Sequence, residues 1–378
     1  MKKQIQFCGI CLLLLIGFKV SAKHNSIVPG ELWPDNNNVH INAHGGGILY
    51  QKGRNYWFGE HKTTGMGGNV ANVGVHCYSS KDLYNWKDEG VALKVAPDNS
   101  GADIEKGCII ERPKVIYNRK TGKYIMWFHL EKKNRGYEDA LSGVAVSNKI
   151  TGPYTYLKSV RPNAGFYPIN VPTGHKNTIT ESKVKYNGWS LPENVDPLNI
   201  LKRDISTGQM ARDMTLFVDD DQKAYHIYAS EENSTLHIAE LTDDYLSHSG
   251  KYARYFSGRF MEAPAMFKCN RKYYLMMSGC TGWKPNQARS AVADSILGNW
   301  KELGNPCSGI ESETTFRSQS SFIFPVVGKR NAFIYMGDRW SPDDAITGRY
   351  VWLPLKIKDD RFIIEWRKKW SLDEFIKE

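Results

Sequence analysis

Apolar residues along this chain fall in short runs that pair across polar turns. "GILYQKGRNYWFGEHK" from Gly47, "KVIYNRKTGKYIMWFHLE" from Lys114 and "TLFVDDDQKAYHIYASEE" from Thr215 share the arrangement. "AMFKCNRKYYLMMSGC" from Ala265 and "FIFPVVGKRNAFIYMGD" from Phe322 repeat it. Each is an apolar strand, a polar turn and an aromatic strand, which predicts a β-hairpin. A second pair of strand-like runs follows each hairpin. "VGVHCYSSKDLYNWKDEG", "SGVAVSNKITGPYTYL", "STLHIAELTDDYL" and "ARSAVADSILGNWKEL" are the clearest, and "GRYVWLPLKIKDDRFIIEW" closes the series. Repeated units of about four strands each predict an all-β fold, a five-bladed β-propeller. A β-sandwich does not explain the repeat, and a β-helix has a shorter period. Between units two and three, about residues 161–210, the periodicity weakens, which predicts an insertion running over one face.

The first 22 residues follow a different pattern. Lys2 and Lys3 precede an apolar stretch from Phe7 to Phe18 and small residues ending at Ala22. This reads as an export signal peptide, too short for a stable bilayer anchor. No other segment predicts a membrane span. Residues 23–378 are therefore expected to form one propeller domain, exported to the periplasm or the exterior and acting as a monomer.

Composition narrows the partners. Aromatic residues make up 12% of the 378 residues, and 33 are glycine, which suits a β-rich fold with tight turns. Aromatic faces also suit sugar rings. Cys8 and Cys11 belong to the leader, leaving Cys77, Cys108, Cys269, Cys280 and Cys307 at irregular spacing. An odd, irregular set argues against a disulfide framework and against a zinc site, and leaves one pair open. Formal net charge is +10, of which Lys2, Lys3 and Lys19 belong to the leader. The remaining basic residues are scattered, which points to a solvated surface and not to nucleic-acid binding.

One polar residue stands two or three places ahead of each first hairpin strand. These are His44 in "AHGGG", Glu111 in "IERPK", Asp213 in "ARDMT", Glu262 in "MEAPA" and Gln319 in "RSQSS". First strands of propeller blades line the central channel, so their leading ends are expected to meet as one ring. The glycines after His44 are expected to let backbone and substrate approach closely. Glu111, Asp213 and Glu262 are carboxylates, and clustered carboxylates repel, so one of them can hold a proton near neutral pH. Such an arrangement suits glycoside hydrolysis, in which an acid protonates the leaving oxygen.

At these residues the sequence resembles glycoside hydrolase family 43, a family of five-bladed propellers. "HGGGILY", "RDMTLFVDDD", "AYHIYASEEN", "EAPAMFK", "YYLMMSGCTGW" and "SQSSFIFPV" carry the resemblance. The family inverts at the anomeric carbon, using an Asp base in blade one, an Asp that tunes the acid in blade three and a Glu acid in blade four. By resemblance Asp213 is the tuning residue and Glu262 the acid. The blade-one Asp is missing, and in this the chain looks most like the exo-β-1,3-galactanase subgroup. That likeness gives Gln319 the task of holding the attacking water, opposite Glu262 with room between them. Glu111 is expected to supply charge beside it. His44, Glu60, Tyr137, Glu231, Asn233, Thr281 and Trp283 are expected to shape the sugar site, with Glu232 beside Glu231.

The resemblance thus implies an exo-β-1,3-galactosidase acting on galactan main chains such as arabinogalactan. A family 43 α-L-arabinofuranosidase or β-xylosidase, or a non-catalytic carbohydrate-binding propeller, are the alternatives. No cofactor is expected; "VDDD" at Val218–Asp221 reads as a hairpin turn and not as a metal loop, so a structural calcium ion is an open alternative that the sequence does not indicate.

Overall fold

A hairpin with one aromatic face cannot bury that face alone, so each hairpin recruits the next strands and then the next blade. The computed structural model describes residues 23–172, 197–282 and 284–376 of the chain. The expected signal peptide and Trp283 lie outside the described residues. Blade one is an antiparallel meander of β1 (His44–Gln51), β2 (Arg54–Lys62), β3 (Asn72–Ser80) and β4 (Lys87–Lys94). Blade two holds β5 (Ile109–Asn118), β6 (Lys123–Glu131), β7 (Leu141–Ser147) and β8 (Thr155–Val160). Blade three holds β9 (Met214–Val218), β10 (Ala224–Ser230), β11 (Thr235–Leu241) and β12 (His248–Tyr255). Blade four holds β13 (Met261–Cys269), β14 (Lys272–Gly279), β15 (Arg289–Ala293) and β16 (Lys301–Gly304). The last blade begins with a short edge strand, β17 (Cys307–Ser308), followed by β18 (Gln319–Pro325), β19 (Phe333–Arg339), β20 (Arg349–Lys358) and β21 (Arg361–Glu365). The fold is a five-bladed β-propeller.

Inner strands touch in a closed circle: β1 meets β5, β5 meets β9, β9 meets β13, β13 meets β18 and β18 meets β1. Five apolar clusters fill the seams between blades. Trp57, Trp86, Trp352 and Trp370 fill the seam between blades five and one, and Phe58, Met126 and Phe128 that between one and two. Closure does not use a shared strand. The segment before β1 does the work: Ile27 and Trp370 exchange backbone hydrogen bonds of 2.8 and 3.0 Å, and Trp33 and Ile41 bury themselves in the same tryptophan cluster.

The hairpins begin earlier than the apolar pattern suggests. His44, Glu111, Glu262 and Gln319 lie inside their first strands, and only Asp213 precedes its strand. A β-bulge follows each of those four positions. After three of them the next residue turns left-handed, with φ of 62° at Gly45, 53° at Arg112 and 52° at Ala263. A bulge adds an unpaired residue and re-aims the side chain beside it, which breaks the alternation the eye follows.

The glycines after His44 serve protein packing. A Cβ at Gly46 would lie 2.3 Å from the Phe58 carbonyl oxygen and 2.6 Å from Trp57 Nε1, and one at Gly47 would lie 2.6 Å from Lys114 Cδ. Close approach of the backbone is thus required by the paired strand, and by buried Lys114 at Gly47. Gly46→Ala should lower stability by about 1–3 kcal/mol, because backbone on the partner strand cannot move aside. A shifted midpoint at unchanged slope in urea unfolding would register this, and an unshifted midpoint would refute it.

The described parts of the 161–210 stretch lie against blade three. Gln209 N donates to the Pro162 carbonyl at 2.7 Å, Ile169 N to the Tyr252 carbonyl at 2.8 Å, and Asn163 Nδ2 to Tyr228 Oη at 3.1 Å. A short helix, α1 (Pro197–Arg203), ends in Arg203, which reaches Glu232 at 3.1 Å. The "VDDD" stretch joins β9 to β10, and Asp219 and Asp220 there hold Lys268 at 2.5 and 2.8 Å.

Candidate active site

Because the first strands line the axis, their leading ends converge on one face. His44, Glu111, Asp213, Glu262 and Gln319 all line a pocket there of about 470 Å³. Glu60, Tyr137, Glu232 and Asn233 join them. Two other expected residues do not. Glu231 is buried beneath the turn between β10 and β11, where it accepts from Thr235 Oγ1 and His237 Nε2, both at 2.7 Å, and pairs with Arg254. It braces a turn in which Glu231, Glu232 and Asn233 have φ of 50°, 56° and 64°. Three successive left-handed non-glycine residues cost energy and persist only when neighbours over-determine them. Thr281 is exposed and ties its own loop, donating to the Lys284 carbonyl at 2.6 Å and accepting from Asn286 Nδ2 at 2.7 Å. Glu231 does not line the pocket, and Thr281 stands beside it, next to pocket-lining Gly282 and hydrogen-bonded to pocket-lining Asn286.

The residue that organises the ring is Arg112, which sequence reasoning missed. It is buried, and its guanidinium clasps Asp213 through Nε–Oδ1 and Nη2–Oδ2 contacts of 3.1 Å each. It also donates to the Ser320 carbonyl at 2.9 Å and to Gln319 Oε1. A planar fork of donors can meet so many acceptors at once, which an ammonium cannot. With its oxygen taken, the Gln319 amide turns its NH₂ outward, to Glu262 Oε1 at 3.0 Å and Ser278 Oγ at 2.9 Å. Gln319 therefore touches Glu262 directly. The expected arrangement, with Gln319 across a water-sized gap from the acid, is not what this structure holds. An inverting pair needs roughly 6.5–9.5 Å between its carboxyl groups.

Glu262 is partly buried, and desolvation together with the negative charge of Asp213 pushes its carboxyl up to about 8. Arg112 and the Gln319 amide pull the other way without cancelling this. Asp213 also accepts from the Ala263 amide at 3.0 Å, so blade three is tied to the residue beside Glu262. A carboxyl that keeps its proton at neutral pH beside an ionised one is what general-acid chemistry requires.

Glu111 is held in the opposite state. Burial pushes its carboxyl up, but the hydrogen bond and charge of His129 outweigh burial and hold it below the ordinary carboxylate value. His129 bridges Glu111 at 3.0 Å and Glu131 at 2.8 Å; burial works against its charge, yet these two acids raise it to about 9. Tyr137 Oη and Asn69 Nδ2 donate to the other Glu111 oxygen at 2.7 and 2.8 Å. Glu111 is thus a fixed negative charge with its lone pairs engaged.

The wall between blades one and five is carboxyl-rich. Glu60 Oε1 accepts from the Arg112 amide at 3.0 Å, and its Oε2 lies 3.0 Å from Lys62 Nζ. Asp338 Oδ2 accepts from the Gly45 amide at 2.9 Å. Trp340 packs its ring on His44, centroids 5.1 Å apart. Beneath them Lys114 donates to the Gly45 carbonyl at 2.7 Å, and burial, with Arg112 nearby, drops its amine to about 7.

A rule from register would have found several missed residues. Four of the five ring residues have a cross-strand partner: Glu60 opposite His44, His129 opposite Glu111, Ser278 opposite Glu262 and Asp338 opposite Gln319. Among the described residues no group of three His, Cys, Asp or Glu side chains gathers as a metal site, and Cys77, Cys108, Cys269, Cys280 and Cys307 are all free. No described helix is long and apolar enough to cross a membrane.

Residues 166–321 match the sequence profile of glycosyl hydrolases family 43. The whole fold is similar to a family 43 β-1,3-galactosidase solved with galactodeoxynojirimycin, at 50% identity and TM-score 0.85, covering 92% of this chain and 100% of that one. It is also similar to an exo-β-1,3-galactanase from Phanerochaete chrysosporium solved with β-1,3-galactotriose, at 32% identity and TM-score 0.74, covering 92% of this chain and 68% of that one. An exo-β-1,3-galactanase from Clostridium thermocellum matches at 36% identity and TM-score 0.73, covering 91% of this chain and 66% of that one. No curated protein sequence matches the chain.

Proposed function

Because this chain belongs to glycoside hydrolase family 43, we propose that it is an exported, inverting exo-β-1,3-galactosidase that trims galactan main chains such as those of arabinogalactan. The observation that carries the reading is Glu262, a partly buried carboxyl pushed up to about 8, in a pocket of about 470 Å³. That volume lies within the range of roughly 300–1,000 Å³ typical of small-ligand sites. Likeness to β-1,3-galactosidases supports the choice of sugar and linkage. Export rests on the signal peptide read from the sequence. Hydrolysis by carboxyl groups requires no cofactor.

In this reading Glu262 donates a proton to the departing glycosidic oxygen, and Asp213 keeps that proton available. The test is incubation with β-1,3-galactotriose, with arabinan and xylan oligosaccharides beside it, followed by NMR from the first turnovers. Galactose should be released from the non-reducing end as its α-anomer first. Initial β-galactose would exclude inversion. Release of arabinose or xylose in place of galactose would select the other family 43 activities, and binding without cleavage would select a lectin.

Asp213→Asn should shift the basic limb of kcat/KM to lower pH. The Asp213 charge raises the Glu262 pKa, so removing it lowers that pKa and deprotonates the acid sooner. Freed from Asp213, the Arg112 charge pushes in the same direction. A shift of roughly 1–3 pH units follows from the loss of one neighbouring charge. A pH profile on β-1,3-galactobiose with its basic limb unmoved would remove the tuning role.

A further inference from the structure

We propose that His129 and Glu131, both on β6, are positioning residues that hold the carboxylate of Glu111 and the ring of Tyr137 in the pocket. The inference rests on the glycosidase reading above and deepens it. Glu131 is fully buried and does not line the pocket, while His129 is 1% exposed at the pocket's edge. Ionisable groups buried this deeply cost stability unless their partners are well placed. Here the partners form a pocket wall. His129 stands across the strand pair from Glu111, and its Nδ1 meets Glu111 Oε2 at 3.0 Å. Its Nε2 meets Glu131 Oε1 at 2.8 Å. Ionised carboxylates only accept, so both ring nitrogens donate and His129 is an imidazolium.

Glu131 has a second hold. Its Oε2 accepts from the amides of Asp139 and Ala140 at 2.7 and 3.0 Å. These amides close the loop between β6 and β7, where Ala140 has φ of 46°, a strained conformation that needs such support. The same loop carries Tyr137, whose Oη donates back to the other Glu111 oxygen at 2.7 Å. Glu111, His129, Glu131 and the loop thus form a closed circuit of hydrogen bonds. The circuit is tied to blade three as well. The Ala211 amide donates to the Ala140 carbonyl and Arg212 Nη2 to the Tyr137 carbonyl, each at 2.9 Å, directly ahead of Asp213.

The circuit sets a charge as well as a shape. The imidazolium favours ionised Glu111, and Glu131 favours the imidazolium, so Glu131 acts on the charge of Glu111 through His129. A fixed negative charge in the pocket stabilises the positive charge that builds on the sugar ring in an oxocarbenium-like transition state. Other groups around the pair do not replace it. Asp213, ahead of β9, pushes the Glu111 carboxyl up. Burial and the Glu111 charge push the Tyr137 phenol up, with Glu60 on β2 adding to the rise, so Tyr137 keeps its proton. Arg112, next to Glu111 on β5, clasps Asp213, and Asp139 in the loop pairs with Arg135. Ser142, opposite His129 on β7, carries no charge.

Glu131→Gln separates the two roles. Its amide oxygen can still accept from Asp139 and Ala140, so amide exchange across residues 132–140 should stay parental. Its NH₂ group then faces His129 Nε2, which must accept, leaving His129 neutral. Burial regains Glu111, whose carboxyl rises, and the acidic limb of kcat/KM on β-1,3-galactotriose should move up by roughly 1–3 pH units. His129→Phe should move that limb at least as far, and adding Glu131→Gln to it should move the limb no further. A limb unmoved in Glu131→Gln, or shifts that add in the double variant, would overturn the proposal. Nitrogen NMR of the parent gives a reading that needs no variant. The His129 ring should show two N–H groups at pH 7, and a neutral ring there would overturn the proposal equally. A parent enzyme that releases no galactose would instead defeat the β-1,3-galactosidase reading, with the ring signals still deciding the state of the pair.

Discussion

Glu262→Gln should lower kcat on β-1,3-galactotriose by about 10²–10⁴-fold and leave galactose binding nearly intact. The amide retains the acceptor that Gln319 Nε2 contacts at 3.0 Å, so the packing of the ring survives while the transferable proton is gone. Substrates with good leaving groups should suffer much less, since they need no proton on departure. A stability change of definite sign should accompany this loss. The folded carboxyl sits at about 8, above its ordinary 4.5. Between those values the unfolded chain releases a proton that the folded one retains, so the parent loses stability as pH rises through this window. The variant lacks that loss. Its melting temperature should exceed the parent's near pH 8 and converge with it near pH 4. Equal turnover of variant and parent on natural galactan would dismiss Glu262 as the acid.

Arg112→Met should be the most destabilising change in the site, by roughly 2–4 kcal/mol, because it leaves partly buried Asp213 without its partner. The same change frees the Gln319 carbonyl and the Ser320 carbonyl from a common donor. Activity should fall by on the order of 10²-fold, the scale expected when reacting groups are misplaced by about 1 Å. The pH profile separates this from general damage. Arg112 lowers the Glu262 pKa, so its removal should move the basic limb of kcat/KM upward, opposite to Asp213→Asn. Arg112→Lys keeps the charge and should leave the limb near its place, yet it cannot span the same acceptors and should remain impaired. Urea unfolding and pH profiles on both variants test the pair. A stable, fully active Arg112→Met would refute the assignment of Arg112 as the hub.

These two side chains were legible to different degrees. Glu262 stands out because a carboxylate recurs at the same offset from a hairpin in blades two, three and four. Arg112 recurs nowhere. It follows Glu111 in "IERPK" and looks like a surface charge until the bulge turns it inward, with φ of 53°. Asp338 closes a strand in "MGDRW" and carries no period of its own; only the register opposite Gln319 gives it meaning. Glu231 and Glu232 show the converse. Adjacent and alike in sequence, they part because one is turned under the chain onto His237 and Arg254 while the other meets Arg203 and Arg212 at the pocket.

The sequence by itself determined the all-β class, the five blades and the ring of polar residues at their leading ends, because strand period and hairpin turns are local physics repeated along the chain. Tertiary structure alone decided which of those residues touch and what charge each keeps. Glu262 keeps its proton because burial and Asp213 act on it together, and Glu111 loses its own because His129 lies within 3.0 Å. Such states depend on distance and desolvation between side chains brought together from paired strands and neighbouring blades, quantities that no local pattern encodes.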